Sequence, residues 1–116
     1  MPEQALDVMS VYAAVPTSDM TGAESFYEAV IGRPADSHPM PSLAQWEWGD
    51  SVLQVVDDAE RAGGGLATVV VRDMTESASR LRARGVPIDV AEGSVVAQVA
   101  VLIDPDGNQV TIVEAR

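Results

Sequence analysis

Three residues have side chains whose type and spacing could contact or transform a ligand. Trp46 and Trp48 lie two positions apart, so in a strand they share one face of the sheet. There they could stack on a flat ligand, or they could equally pack under a helix or at a dimer contact. His38, the single histidine, could act as a general base only if its proline-rich connector folds over a cleft. Its place on that loop disfavours serine–histidine catalysis, and the lack of cysteine removes thiolate nucleophiles and disulfides.

Any such site must be positioned by two copies of one sequence pattern. The tripeptide Asp-Met-Thr begins at Asp19 and again at Asp73, 54 residues later. Each copy follows a strand-like segment and continues as a helix-like stretch that ends at a glycine, Gly32 or Gly85, closely followed by proline. Each half closes with a hairpin whose last strand is rich in Val, Ile and Leu. We therefore expect two similar units with a ligand site at the seam between them.

The residue patterns predict the order βαβββ in each half. In the first half we predict a helix from the N-cap Asp19 to Gly32, a connector at 38–41, and strands at 8–15, 46–48 and 51–56. After a linker at 57–65, the second half has a helix beginning at Asp73 and strands at 66–71, 88–90, 95–103 and 108–113. Turn signals lie at 49–50, 92–93 and 104–108.

The composition fits one globular domain over residues 1–116 and narrows the choice of partners. A net charge of −11 disfavours nucleic acid and anionic membranes. No apolar stretch reaches the roughly 18 residues that span a bilayer, and no signal peptide is visible, so we expect a cytoplasmic protein. All seven basic residues are arginine. Four of them, Arg72, Arg80, Arg82 and Arg84, lie on or beside the second helix, where we favour a solvated helix face over an anion site.

Taken together, these motifs resemble those of the vicinal oxygen chelate superfamily, the glyoxalase/bleomycin resistance protein/dioxygenase group. The resemblance covers essentially the whole chain and rests on Asp19, the segments 26–28, 31–32 and 82–86, and the Asp-Pro-Asp-Gly-Asn turn at 104–108. It implies an α+β fold in which two βαβββ modules, about residues 8–58 and 65–114, form a U-shaped mixed sheet around a cleft. It also implies a homodimer.

Enzymes of this superfamily usually hold a divalent metal with His, Glu or Gln from the first and last strands of each module. Carried over residue by residue, those positions fall on Tyr12, Gln54, Leu66 and Thr111. Of these four, only Gln54 is a usual metal ligand. Leucine has no atom that can coordinate a metal, and the neutral hydroxyls of tyrosine and threonine coordinate metals poorly. We therefore predict no metal and no cofactor.

The strand faces that the resemblance places around the cleft combine apolar and neutral polar side chains. They carry Tyr12, Ala14, Val52, Gln54, Leu66, Thr68, Gln109 and Thr111. Such a lining suits an organic ligand, and the alternative is a small cleft filled by its own side chains. Tyr12 and Gln54 could hydrogen-bond to the ligand, although Tyr12 could instead satisfy its hydroxyl within the sheet. The predicted ligand-binding residues are Tyr12, Trp46, Trp48, Gln54, Leu66, Thr68 and Thr111.

We predict a metal-free small-molecule-binding protein, one form of which would sequester a drug or metabolite. The acidic net charge would suit a cationic ligand. The alternative is a lyase, isomerase or dioxygenase-like enzyme of the same superfamily acting on a small oxygenated substrate. A third class is a structural or regulatory subunit whose sheet serves association alone, which a filled cleft would favour.

Overall fold

The computed structural model describes residues 5–92 and 98–115 and contains the order βαβββ twice. The first module consists of β1 (Tyr12–Thr17), α1 (Met20–Ile31), β2 (Ser37–Met40), β3 (Leu43–Trp48) and β4 (Ser51–Asp57). The second consists of β5 (Leu66–Val71), α2 (Met74–Ala83), β6 (Val90–Glu92), β7 (Gln98–Ile103) and β8 (Gln109–Glu114). The predicted α+β architecture of two such modules is confirmed. Neither of the helices in these ranges has the length and apolarity needed to cross a membrane.

Each module forms its own four-stranded mixed sheet, and the strand order is the same in both. The first sheet has the order β1-β4-β3-β2 and the second has β5-β8-β7-β6. Within each sheet the first pair is parallel, beginning with Tyr12 opposite Val52 and with Leu66 opposite Gln109, and the other pairs are antiparallel. β1 and β5 therefore lie at corresponding edges of the two sheets.

Several strand boundaries differ from the sequence-based ones for physical reasons. β1 begins at Tyr12 and not at residue 8, because its partner β4 begins at Ser51 after the turn at Gly49 and offers no pairing to residues 8–11. The predicted connector forms β2, an edge strand, where the missing N–H of Pro39 is tolerated. β6 covers Val90–Glu92 instead of 88–90. The predicted turn at 92–93 and the predicted strand at 95–103 each include part of the range 93–97. That range lies outside the described residues.

The two aspartates predicted as helix N-caps do begin the helices. Asp19 Oδ1 accepts a hydrogen bond from the Gly22 backbone N–H at 3.2 Å, and Asp73 Oδ1 accepts one from Glu76 at 3.0 Å. Each bond satisfies one of the N–H groups that a helix start leaves without a partner. α1 ends before Gly32, whose φ of +100° lies in the left-handed region that glycine adopts readily.

Buried side chains from both modules form one hydrophobic core. α1 contributes Ala23 and Tyr27, and α2 contributes Met74, Ala78 and Leu81. The strands of both sheets supply most of the rest, and Val86 and Ile88 come from the segment between α2 and β6. The largest fully buried apolar side chains are those of Trp46, Tyr27, Met74, Val15, Val55 and Val110.

The amide of Asn108 ties the two modules together at the end of β1. This side chain is fully buried. Its Oδ1 accepts hydrogen bonds from the backbone N–H groups of Gly63 at 3.0 Å and Gly65 at 2.7 Å. Its Nδ2 donates to the Pro16 carbonyl at 2.6 Å and to Asp104 Oδ2 at 2.8 Å. One residue of the β7–β8 turn therefore bonds both to β1 and to the approach to β5.

Two carboxylates of the same turn extend this network to the first module. Asp106 accepts hydrogen bonds from the Ser18 hydroxyl at 2.6 Å and from the Thr17 hydroxyl. Burial raises the pKa of Asp106, but these hydrogen bonds outweigh it, so the pKa lies below the ordinary value of 3.8. Asp104 Oδ2 accepts a hydrogen bond from the Tyr27 hydroxyl of α1 at 2.7 Å.

Tyr27 should make the stability of the protein fall at alkaline pH. Burial, the hydrogen bond to Asp104 and the charges of Asp104 and Asp106 raise the pKa of its hydroxyl far above 10.0. Because the folded-state pKa exceeds the unfolded one, the contribution of Tyr27 is complete below pH 10 and is lost as pH rises above it. Between about pH 9 and pH 11, the free energy of unfolding should therefore fall by about 1.4 kcal/mol more in the wild type than in Tyr27→Phe. Urea titrations at both pH values measure this difference, and equal losses in the two proteins would contradict it.

Candidate functional site

A cavity of about 890 Å³ lies where the two modules meet. It is bounded by α1 and α2 and by β1, β3, β4, β5 and β8, it is partly open to solvent, and we call it the interhelical cavity. Its volume is comparable to the roughly 300–1,000 Å³ of sites that bind small organic molecules. Most of its lining is aliphatic and includes Val30, Ile31, Leu53, Val69, Val71 and Leu81.

The cavity lies beside the seam between β1 and β5. At one end these strands meet so closely that a Cβ on Gly65 would stand 2.8 Å from Pro16 Cδ, which only glycine allows. Asn108 bridges the same place by bonding to both residues. At the other end, Val11 just before β1 and Val71 at the end of β5 line the cavity. The cavity therefore lies at the seam between the repeated units, on the side that the helices cover, whereas the predicted cleft was to be lined by the opposite strand faces.

The charged part of the cavity lining is basic. Arg72 follows β5, Arg80 lies on α2, and Arg84 caps the C-terminal end of α2. Arg84 Nη1 donates to the carbonyl of Ala29 on α1 across a long 3.4 Å, so its guanidinium lies between the two helices. The cavity therefore combines an aliphatic wall with several strong hydrogen-bond donors.

The two tryptophans, which were predicted to share a face, have different surroundings. Trp46 is fully buried, its ring centroid lies 6.3 Å from that of Tyr27, and its Nε1 donates to the Arg33 carbonyl at 2.9 Å. It therefore packs beneath α1, which is the alternative that the sequence left open for it, and its contact with a ligand stays a prediction. Trp48 is 44% exposed and lines the interhelical cavity. The Arg33 guanidinium lies 5.0 Å from its ring centroid, which is cation–π distance.

The other five predicted residues lie on the sheet faces that point away from the core. Tyr12 is 52% exposed and Leu66 is 77% exposed, so these faces are open. Gln54 is half-buried, and Thr68 stands directly opposite Thr111 in the parallel pair of β5 and β8. Of these five, only Thr68 also lines the interhelical cavity. The structure thus places all five on the open faces, and Thr68 borders the cavity because its strand, β5, does.

The divalent metal that the resemblance implies does not fit the residues present. The four corresponding positions hold Tyr12 and Gln54 on one sheet and Leu66 and Thr111 on the other. Leu66 has no atom that can coordinate a metal, and Tyr12 and Thr111 offer only neutral hydroxyls, so Gln54 is the one usual ligand among the four. Throughout residues 5–92 and 98–115, no three His, Cys, Asp or Glu side chains come together as metal ligands.

His38 lies away from the interhelical cavity. Its strand, β2, is at the far edge of the first sheet from β1. Its side chain is 51% exposed, and its Nε2 contacts the carboxylate of Glu24 on α1. A general-base role required this segment to cover the ligand site, and the structure does not place it there.

The fold is that of the glyoxalase and bleomycin resistance proteins. A glyoxalase/bleomycin resistance protein from Catenulispora acidiphila has a TM-score of 0.86 at 23% identity, covering 94% of this chain and 100% of that one. An antibiotic binding protein from a Streptomyces species has a TM-score of 0.78 at 24% identity, covering 98% and 100%. A lactoylglutathione lyase from Agrobacterium tumefaciens has a TM-score of 0.74 at 21% identity, covering 96% of each chain. No protein-family model matches the sequence, and no curated protein matches it either.

These similarities define the class of protein at the level of the fold. The predicted resemblance to the vicinal oxygen chelate superfamily is confirmed for the architecture, because similar chains align along nearly their whole length. One of the three is a binding protein and another is a lyase, so the fold alone does not determine the activity. The function has to be argued from the site.

Sequence reasoning missed most of the residues that line the interhelical cavity. Val30, Val69 and Val71 have the helix and strand spacing of ordinary core residues, and nothing in that spacing marks an unfilled space. Arg80 and Arg84 are four residues apart and so lie on one side of α2 and its cap. Both are exposed, as the predicted solvated helix face requires, and both also border the cavity.

Proposed function

We propose that this protein binds a small organic molecule in the interhelical cavity without a metal. The cavity of about 890 Å³ with its largely aliphatic lining is the observation that carries the proposal. Burying the apolar surface of a ligand there would contribute roughly 25 cal/mol per Å². Trp48, which was predicted to bind a ligand, would contact it from the cavity wall. The antibiotic binding protein of the same fold is consistent with such a role.

The side chains of the cavity support binding without turnover. Among the described residues that line it, none is a histidine, cysteine, aspartate or glutamate. Tyr27 lines it too, but burial and its hydrogen bond to Asp104 raise its pKa, so the hydroxyl stays protonated and engaged. An enzyme acting on a small oxygenated substrate would need a titratable or metal-bound group at the reacting atoms. We therefore favour sequestration of a drug or metabolite over a lyase, isomerase or dioxygenase-like reaction.

We further infer a homodimer in the cytoplasm. The open face of the second sheet exposes the apolar side chains of Leu66, Val70, Val101 and Ile103 by 77%, 63%, 46% and 58%. A second copy of the chain would cover this patch. The predicted ligand-binding residues on the open sheet faces would then contact a ligand only where the partner covers those faces. They are Tyr12, Gln54, Leu66, Thr68 and Thr111. A chain without cysteine is consistent with a reducing compartment.

Native mass spectrometry of the freshly purified protein tests this proposal. We expect a metal-free dimer, either bare or carrying an organic adduct whose mass begins to identify the ligand. One stoichiometric divalent ion per chain would overturn the metal-free proposal and move the enzyme alternative to first place.

A further inference from the structure

The charge of the interhelical cavity is opposite to that of the whole chain. Acidic residues outnumber basic ones by 18 to 7 in the sequence. The described residues that line the cavity nevertheless include Arg72, Arg80 and Arg84 and no aspartate or glutamate. If charged residues were distributed in proportion to the composition, most of those lining the cavity would be aspartate or glutamate. The cavity is therefore a local basic site in an acidic protein.

Two of these arginines have no carboxylate partner within residues 5–92 and 98–115. Three arginines do form ion pairs there: Arg33 with Asp36, Arg61 with Asp58, and Arg80 with Glu76. Arg72 forms none, and Arg84 reaches only the Ala29 carbonyl, at 3.4 Å. A guanidinium presents five N–H donors in a planar fork that matches the oxygens of an anionic group. Both arginines therefore have donors available for a ligand.

Gly32 leaves room for the Arg84 guanidinium beside the cavity. It lines the cavity itself, and a Cβ there would stand 3.0 Å from Arg84 Nη1. Any larger residue at the end of α1 would press against this guanidinium. The glycine that ends α1 therefore also keeps the donors of Arg84 at the cavity wall.

We propose that the ligand is an apolar molecule that carries an anionic group, namely a carboxylate, sulfonate or phosphate ester, which Arg84 binds. The aliphatic lining and the exposed part of Trp48 contact the apolar body. This inference rests on the proposed function, which places the ligand in this cavity. It reverses the expectation from net charge that the ligand is a cation, because charges in contact with a ligand outweigh distant ones that solvent and salt screen.

Two fluorescent probes with the same aromatic rings test the inference. Anilinonaphthalene sulfonate carries an anionic group, and phenylnaphthylamine is its neutral counterpart. Fluorescence titration of full-length wild type, Arg84→Gln and Arg72→Gln gives the dissociation constant of each probe. We expect Arg84→Gln to weaken binding of the sulfonate about tenfold and to change binding of the neutral probe by less than about twofold. Arg72→Gln, at the other end of α2, should weaken binding of the sulfonate by less than about threefold. Because each probe is compared with itself in wild type and variant, a difference in hydrophobicity between the probes does not affect the result.

Arg61→Gln is the matched control. The Arg61 side chain is 81% exposed and does not line the cavity, so this variant removes the same charge and should leave both dissociation constants unchanged. Circular dichroism and thermal melting verify that each variant is folded. Equal effects of Arg84→Gln on the two probes, or no effect of it on either, would overturn the inference and leave the proposed function standing. A wild type that binds neither probe would overturn the proposed function and this inference with it.

Discussion

Replacing Asn108 by alanine is expected to lower the free energy of unfolding by about 3–5 kcal/mol. The Asn108 amide is fully buried and takes part in four hydrogen bonds, two accepted and two donated. Alanine would leave the N–H groups of Gly63 and Gly65 and the carbonyl of Pro16 without this partner. Each buried polar group left unsatisfied costs about 1–3 kcal/mol. The expected fall in melting temperature is about 10–20 °C.

The adjacent substitution Gln109→Ala is the control for this experiment. The Gln109 side chain is exposed, and its backbone N–H, which bonds to the Gly65 carbonyl, is kept by alanine. We expect it to change stability by no more than about 0.5 kcal/mol. Urea unfolding of both variants measures the difference. A loss below about 1 kcal/mol in Asn108→Ala would show that water replaces these bonds, and that this amide does not hold the modules together.

The second large effect is expected for Trp46→Ala, which should lower the free energy of unfolding by about 3–5 kcal/mol. Trp46 is fully buried beside Tyr27, and its indole N–H is bonded to the Arg33 carbonyl. Alanine would leave a large void and an unpartnered carbonyl in the core. Because the void would weaken the packing of α1 on its sheet, the variant should also unfold faster.

Trp48→Ala is the matched comparison on the same strand face. Trp48 is 44% exposed, so its removal should change stability by less than about 1 kcal/mol. It should weaken binding of phenylnaphthylamine about fivefold, because the probe loses an aromatic surface in the cavity. The two measurements therefore separate a structural tryptophan from a binding one. Similar stability losses in both variants would contradict the assignment.

The βαβββ modules and their caps could be predicted because short sequence motifs determine them. Asp19 and Asp73 each follow a strand and precede a helical stripe, and both cap their helices as expected. The limits of the strands depend on pairing partners distant in sequence, which local patterns do not contain. β1 is the example, because its start is determined by the position of β4. β2 tolerates Pro39 only because it is an edge strand, which the local sequence does not reveal.

The candidate site was harder to predict than the fold. The spacing of Trp46 and Trp48 correctly placed both on one face of β3, but burial depends on what covers that face. Tyr27 of α1 lies beside Trp46, whereas Trp48 at the end of β3 remains partly exposed. The interhelical cavity arises from the distance between two helices, and residue periodicity carries no information about such a distance.

Filling the cavity tests the central claim of this account most directly. Val30 lines the interhelical cavity from α1, whereas Ser25 on the same helix is exposed and does not line it. Val30→Trp should weaken binding of phenylnaphthylamine by about tenfold or more, and Ser25→Trp should leave it within about twofold of wild type. Circular dichroism must show that both variants are folded. Wild-type affinity in Val30→Trp would contradict the claim that this cavity is the binding site.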